Sequence, residues 1–316
     1  SRGVSPEITK KVWDAVKELN YTADMVARSM TKNETRQLAV LANDLSNPYF
    51  AEIITGFENA AIDNNYLVSI CTAQREIENY IRRLIAQRID GVFIVGMPPL
   101  SDEKYHEIIF NMVEAGIRVL INGIILKDSK EISHIFVDHM TGIDKAVSYL
   151  KSMGHTHIAM VSTFGRNSNF DIRDRMFFSA MDKYLPDSPK IFVSETGIRN
   201  PDMDSSYSLT KRLLTDHPEV TAVICLNDLM AYGVIQAAAY FNKSVPDELS
   251  VIGMDYIYIS RNFNPTVTSI GFDKREYGMM AFELLYNHIK KNIIKDIDIR
   301  TELYIRSSTG LAPGLK

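Results

Sequence analysis

The sequence predicts an α/β protein built as two doubly wound parallel-sheet lobes. Three observations predict it. From Gln37 onward, short apolar runs of strand length alternate with amphipathic stretches of helix length. The apolar runs are continuous, as in LAVLAND, DGVFIVG and TAVICLND, which suits strands covered by helices on both faces. The same rhythm occurs twice along the chain. Two such halves make a hinged binding protein that closes around a ligand lying between the lobes, at the carboxyl ends of the strands.

The elements follow in order. Pro6–Leu19 reads as a helix, with Ser5 as cap, Pro6 at the first helical position and Glu7 in the first turn. Ile8, Val12, Ala15, Val16 and Leu19 form its apolar stripe, and Trp13 stands one step off it. A second, short helix is expected within Tyr21–Arg36. Thr22 is a good N-cap and Asp24 suits the positive helix end. Val26, Ala27 and Met30 give this segment one apolar edge, while Arg28 and Lys32 share another face. It is too short to stand alone and needs a partner.

LAVLAND is then the first buried strand and opens through Asn47-Pro48-Tyr49-Phe50 into a helix reaching Asn64. YLVSICTA, DGVFIVG, RVLIN and ISHIFVD follow as strands, with helices through Arg88 and over Asp102–Ala115; the helix Gly142–Met153 is expected to complete the first half. HIAMVS, KIFVSE, TAVICLND and LSVIGMD are the strands of the second half, with helices over Ile172–Tyr184, Ser205–Asp216 and Leu229–Phe241. Thr266–Gly271 and Asp298–Arg306 are expected to cross back between lobes. The expected division is residues 1–36 as a helical N-terminal segment, 37–153 with 271–295 as one lobe, and 154–270 with 296–316 as the other.

Bulk properties narrow the function. A chain of 316 residues is long enough for two cores, and 46% hydrophobic with 23% charged residues is ordinary for a globular protein. A net charge of −4 argues against a surface that binds nucleic acid everywhere. Residues 1–36, however, carry seven Lys/Arg against five Asp/Glu, an excess that fits either nucleic-acid contact at the N-terminus or random scatter of charge. The two cysteines, Cys71 and Cys225, sit in apolar runs as small hydrophobes. No apolar run approaches the roughly 20 residues of a membrane span, and no signal peptide is visible, so a cytoplasmic location is expected.

No catalytic set is present. The seven histidines, among them His106, His134, His139, His155 and His157, are scattered, and His155-x-His157 suits a structural role better than metal binding. There is no G-x-S-x-G elbow and no Walker-type glycine loop. No metal and no cofactor are expected. The polar and aromatic candidates stand in loops after strands. Tyr49 and Phe50 can stack on a sugar face or a flat base, or serve only to pack the first helix of the lobe. Asp138 can accept hydrogen bonds from ligand hydroxyls or cap the helix that follows it.

The N-terminal stretch VSPEITKKVWDAVKELNYTADMVARSMTKNETRQLAVL resembles the third helix, hinge helix and first sensor strand of lactose-repressor family regulators. The family pattern V-x-x-x-[TS]-x-x-x-V-x-x-A-x-x-x-L-x-Y-x-x-[ND]-x-x-A-R-x-L is met by Val4, Val12, Ala15, Leu19, Tyr21, Ala27 and Arg28, with Thr9 one residue out of step. Met30 takes the place of a leucine. The blocks IDGVFIVG, KSMGHTHIAMVS, NDLMAYGVIQAA, VPDELSVIGMD, FNPTVTSI and ELYIRSSTG resemble family signatures in the family order, so the likeness spans nearly the whole chain.

The resemblance implies a transcription regulator, most simply a repressor, with a type I periplasmic-binding-protein-like effector core. It implies paired hinge helices of a dimer in the minor groove, where Met30 would wedge between base pairs beside Tyr21, Ala27 and Arg28. It further implies effector contacts by Arg173, in IRDRMFFSAM where Met176 replaces a family glycine, by Asn227 and by Asp255. Asp228 is expected to cap the helix from Leu229. Phe272 stands where many relatives carry glutamine and favours stacking.

The family's helix-turn-helix belongs ahead of Val4, so this polypeptide alone is expected to bind operator DNA poorly. Only six residues follow Gly310, without a heptad tail, which favours a homodimer over a tetramer. The expected partners are operator DNA and a small effector, a sugar or sugar derivative in preference to a purine, with no membrane. An extracytoplasmic sugar-binding protein of a transport system would share the lobes, and so would an enzyme on the same scaffold, but the ARSM hinge opposes the first and the missing nucleophile–base pair the second.

Overall fold

Capping chemistry sets the first element. In helix α1 (Pro6–Glu18) the Ser5 hydroxyl accepts from Ile8 N–H at 3.4 Å and Pro6 follows as the first helical residue. The apolar stripe of α1 is not covered, and Ile8, Val12, Trp13 and Leu19 are all exposed. The structure is a computed structural model and describes residues 5–19, 34–72, 77–96, 102–123, 130–162, 172–195 and 202–315. The expected hinge helix, with Tyr21, Ala27, Arg28 and Met30, lies outside the described residues. Where the description resumes, the Asp90 carboxylate fastens the chain: it accepts from Thr35 N–H at 2.8 Å and from Arg36 N–H at 2.9 Å.

The first lobe alternates as expected: β1 (Gln37–Leu41), α2 (Pro48–Asp63), β2 (Leu67–Cys71), α3 (Ile77–Ala86), β3 (Gly91–Ile94), α4 (Asp102–Glu114), β4 (Arg118–Asn122) and β5 (Ile132–Asp138). The second contains α5 (His139–Ser152), β6 (Ile158–Val161), α6 (Ile172–Tyr184), β7 (Ile191–Val193), α7 (Met203–Asp216), β8 (Ala222–Cys225), α8 (Asp228–Tyr240), β9 (Ser250–Asp255), α9 (Tyr258–Asn262) and β10 (Thr268–Gly271). The chain then returns to the first lobe with α10 (Lys274–Lys291) and β11 (Ile297–Arg300), and ends on the second with β12 (Glu302–Tyr304). Strand order is β11-β5-β4-β3-β1-β2 in one sheet and β12-β10-β9-β8-β6-β7 in the other. All pairings are parallel except β10 with β12.

Strand alternation distributes the core. Ala39 and Leu41 of β1 face α3 and α4, while Leu38 and Val40 face α2 and α10. A third apolar cluster fills the second lobe.

Two elements lie across the expected lobe boundaries. Helix α5 does not complete the first half: its buried Ile143, Ala146, Val147 and Leu150 belong to the core of the second lobe. The boundary therefore falls at Asp138, not after Met153. Strand β11 was expected in the second lobe but pairs parallel with β5, Ile297 against Ile135 and Arg300 against Asp138. The last crossing is thus at Thr301, whose hydroxyl donates to Asp138 C=O at 2.7 Å and ties two crossings together.

Helices α2 and α10 approach backbone to backbone. A Cβ on Gly56 would collide with Arg275 C=O, and one on Gly278 would collide with Ile53 C=O. Neither obstacle is a flexible side-chain end, so the pair cannot yield locally. Gly56→Ala is expected to cost about 1–3 kcal/mol through overpacking, seen as a lower urea midpoint with an unchanged slope.

Candidate functional site

The carboxyl ends of both sheets meet at an inter-lobe seam, and the candidate residues come to it from different elements. Asn47 starts α2 by accepting from Tyr49 N–H at 3.0 Å, which sets Tyr49 and Phe50 in the first turn. Their rings meet edge to face at 5.2 Å, and Tyr49 meets Phe272 the same way at 6.2 Å. Phe272 is buried at the crossing from β10 to α10 and lies 5.0 Å from the Tyr277 ring. These side chains make an aromatic wall on the first lobe. Burial pushes the Tyr49 hydroxyl well above its usual pKa; the Asp255 carboxylate pushes the same way and Arg173 opposes it. Tyr49, Asp255 and Arg173 therefore share one electrostatic neighbourhood although they come from α2, β9 and α6.

Arg173 donates from Nη1 to Leu226 C=O at 3.1 Å, which anchors its guanidinium at the carboxyl end of β8. Asp255 closes β9 with φ of 105°, and Tyr256 follows at 56°, two non-glycine residues in the left-handed region. Phe50 packs close to Gly96 at the end of β3: a Cβ there would stand 3.0 Å from its ring.

Two other candidates make helix caps. Asp138 caps α5 with both carboxylate oxygens, at 3.1 Å from Thr141 N–H and 2.5 Å from the Thr141 hydroxyl. Burial opposes its charge, but the Thr141 bonds hold the carboxyl below its usual value. Of the two roles open to Asp138, the cap is the one its geometry fills.

The helix cap expected of Asp228 is made by Asn227. Asn227 is the cap of α8, accepting from Met230 N–H at 2.8 Å, and is itself buried. Asp228 is fully buried and joins distant segments: one oxygen accepts from the Ser269 hydroxyl at 2.6 Å and the other from Ile257 N–H at 2.9 Å. A helix start and a tertiary anchor draw on the same residue types, and only donors far along the chain decide between them.

Lys274 is the residue the sequence analysis missed. It is buried at the first position of α10, where its ammonium donates to Asp255 C=O and, at 2.8 Å, to Phe272 C=O. Burial pulls it down to about 8, against the carboxylates of Asp255, Asp228, Glu52 and Asp273. A lysine in the first turn of a helix faces the unfavourable end of the dipole, which was the available signal.

Aromatic rings, a carboxylate and a guanidinium thus stand near this seam, with no nucleophile–base pair among the described residues. Among those residues no cluster of three or more metal-ligating side chains occurs, and no helix is long and apolar enough to cross a membrane.

Comparison with known proteins agrees with this geometry. Residues 147–309 match the periplasmic binding protein-like domain family. The chain is 31% identical to the HTH-type transcriptional repressor PurR of Pasteurella multocida, over 98% of this chain and 91% of that protein. It is likewise 31% identical to the PurR repressor of Aliivibrio fischeri, over 92% and 85%. Among solved structures, a ribose-bound LacI family regulator from Enterococcus faecium has a TM-score of 0.75 at 25% identity, covering 87% of this chain and 98% of that one. A lac repressor dimer bound to operator and the anti-inducer ONPF has a TM-score of 0.81 at 22% identity, covering 98% and 92%, and shares the fold.

The buried carboxyl of Asp228 gives a pH signature. Burial pushes it up from 3.8 to about 6, against the bonds from Ser269 and Ile257. The folded state therefore holds this proton more tightly than the unfolded chain does. The stability contributed by the group is present at low pH and falls as pH rises through that interval. Asp228→Asn is expected to flatten that fall, measured as urea midpoints across the same interval.

Proposed function

Because the chain belongs to the LacI family of transcriptional regulators, we propose that its operator affinity is set by a sugar or sugar derivative held between its lobes. It is a ligand-controlled repressor, as its PurR relatives are repressors and not enzymes. The observation that carries the effector site is geometric: Arg173 is anchored at the carboxyl end of β8, Asp255 closes the neighbouring β9, and the Tyr49 and Phe272 rings meet where the chain returns to the first lobe. An aromatic face covers the apolar side of a pyranose or furanose, a carboxylate accepts from vicinal hydroxyls, and a guanidinium fork donates to two oxygens. The ribose in the Enterococcus faecium neighbour supports this class. The aromatic wall of Tyr49, Phe50 and Phe272 also suits a planar heterocycle such as a purine, which is the second choice.

The mechanism is linkage. An effector that binds one lobe orientation better shifts the population toward it, by no more than its differential affinity. In this proposal Tyr21, Ala27, Arg28 and Met30 carry the minor-groove contact of the hinge, and the protein works in the cytoplasm as a homodimer. The apolar exposure around the edge strand supports the dimer: Ile62 at the end of α2 and Leu67 and Ile70 of β2 are 60%, 63% and 40% exposed. Such side chains on an uncovered edge suit a second copy of the chain.

Two experiments test these proposals. A thermal-shift screen against monosaccharides, disaccharides, sugar phosphates and purines should give one class of hit. Arg173→Ala and Asp255→Ala should each weaken that hit by at least about tenfold, the loss of a charged hydrogen bond; unchanged affinity in both removes the site. Leu67→Asp with Ile70→Asp should convert a dimer into a monomer in sedimentation velocity, and a dimer that persists rules out this surface.

A further inference from the structure

The four residues that follow the body of β9, Asp255–Tyr258, are held by side chains from both lobes. Tyr256 N–H donates to the Ser269 hydroxyl at 2.9 Å, and Ile257 N–H to Asp228 at 2.9 Å. Both acceptors belong to the second lobe. Asp255 C=O accepts from the Lys274 ammonium, and Tyr258 N–H donates to Glu52 Oε1 at 2.8 Å. Lys274 opens α10 and Glu52 stands on α2, the two helices of the first lobe that pack through Gly56 and Gly278. The turn is thus bonded to each lobe twice, and it contains the two left-handed residues Asp255 and Tyr256. A backbone in that region needs outside bonds to persist.

Lys274 is an expensive residue for packing alone. Its ammonium is buried, lies 5.1 Å and 5.2 Å from the centres of the Phe272 and Tyr256 rings, and starts a helix whose dipole disfavours it. An apolar side chain would fill the space without that cost. What it does that an apolar residue cannot is bond across the seam, to the main chain of Asp255, while a second bond fixes the crossing at Phe272.

The geometry points to Lys274 and Glu52 as positioning residues with which the first lobe grips the Asp255–Tyr258 turn, so that lobe orientation sets the direction of the Asp255 carboxylate. This rests on the proposal above that Asp255 contacts the effector, and it adds the element through which occupancy and lobe orientation become coupled. By linkage, an effector that fixes Asp255 also favours the lobe orientation in which the grip is made.

The grip can be tested without any effector, so its outcome is separate from that of the effector assignment. Amide hydrogen exchange on the full chain should show Tyr258 exchanging at least about tenfold faster in Glu52→Ala, with β9 and α8 unchanged, and Glu52→Gln, which keeps the acceptor oxygen, should restore it. Lys274→Met should accelerate the whole turn, and Lys274→Arg, which keeps a buried donor, should restore it. Spin labels on cysteines introduced at the exposed positions Glu114 and Asp216, one in each lobe, should show a broader inter-lobe distance distribution in Glu52→Ala and Lys274→Met than in the parent or Lys274→Arg. Glu52 is only half-buried, so its variant keeps the protein folded even if Lys274→Met does not. Unchanged exchange and distances in Glu52→Ala, or acceleration spread evenly through β9 and α8, overturns the proposal.

Discussion

The effector seam depends on one buried carboxylate. Asp228 has no exposure to solvent, and its charge is tolerated because Ser269 and Ile257 donate to it and the Lys274 ammonium lies near. Those donors come from β10 and from the turn after β9, so satisfying Asp228 brings the start of α8, one crossing strand and the Asp255 turn to a single point. Gly253 is part of the same constraint, since a Cβ there would strike the Asp228 carboxylate. The residues proposed to contact the effector inherit this order. Asp255 is placed by the turn, and Arg173 is placed by the carbonyl of Leu226, two residues before Asp228.

The first lobe answers with apolar surface. Helices α2 and α10 cover the sheet face formed by Leu38, Val40 and Phe93, and their amino-terminal ends carry Tyr49, Phe50 and Lys274 toward the seam. The seam therefore combines aromatic rings of the first lobe with charged and hydrogen-bonding groups from both lobes. That combination suits a ligand with an apolar face and a polar rim.

Much of this was legible in the sequence, because parallel strands buried on both faces announce themselves as continuous apolar runs. LAVLAND, DGVFIVG and TAVICLND all became strands in their expected order. Lobe membership was less legible. The stripe of Ile143, Ala146, Val147 and Leu150 says that α5 is buried, but the stripe is equally good against either sheet, and only the packing around Ile270 and Thr301 chooses. Strand β11 alternates half-buried and exposed residues, as an edge strand does, and nothing local names its neighbour. At the site, side chains that act through their own loop could be found from the sequence, as with Tyr49 beside Asn47-Pro48. The partners of Asp228 and Lys274 could not, since they lie elsewhere along the chain and the burial of both residues is a property of the assembled fold.

The glycine contact between α2 and α10 reaches beyond packing. Two helices in backbone contact at Gly56 and Gly278 resist sliding past one another, which favours rotation of the first lobe as a unit over internal shear. Such a rotation makes the lobe a lever about the crossings at Asp138, Phe272 and Thr301. A lever amplifies with distance, and its far arm is the end of the sheet opposite the seam, where Asp90 fastens Thr35 and Arg36. A tilt that moves Tyr49 by a fraction of an ångström thus carries the entry of the chain through a larger arc, and the mechanical gain is fixed by the length of the strands.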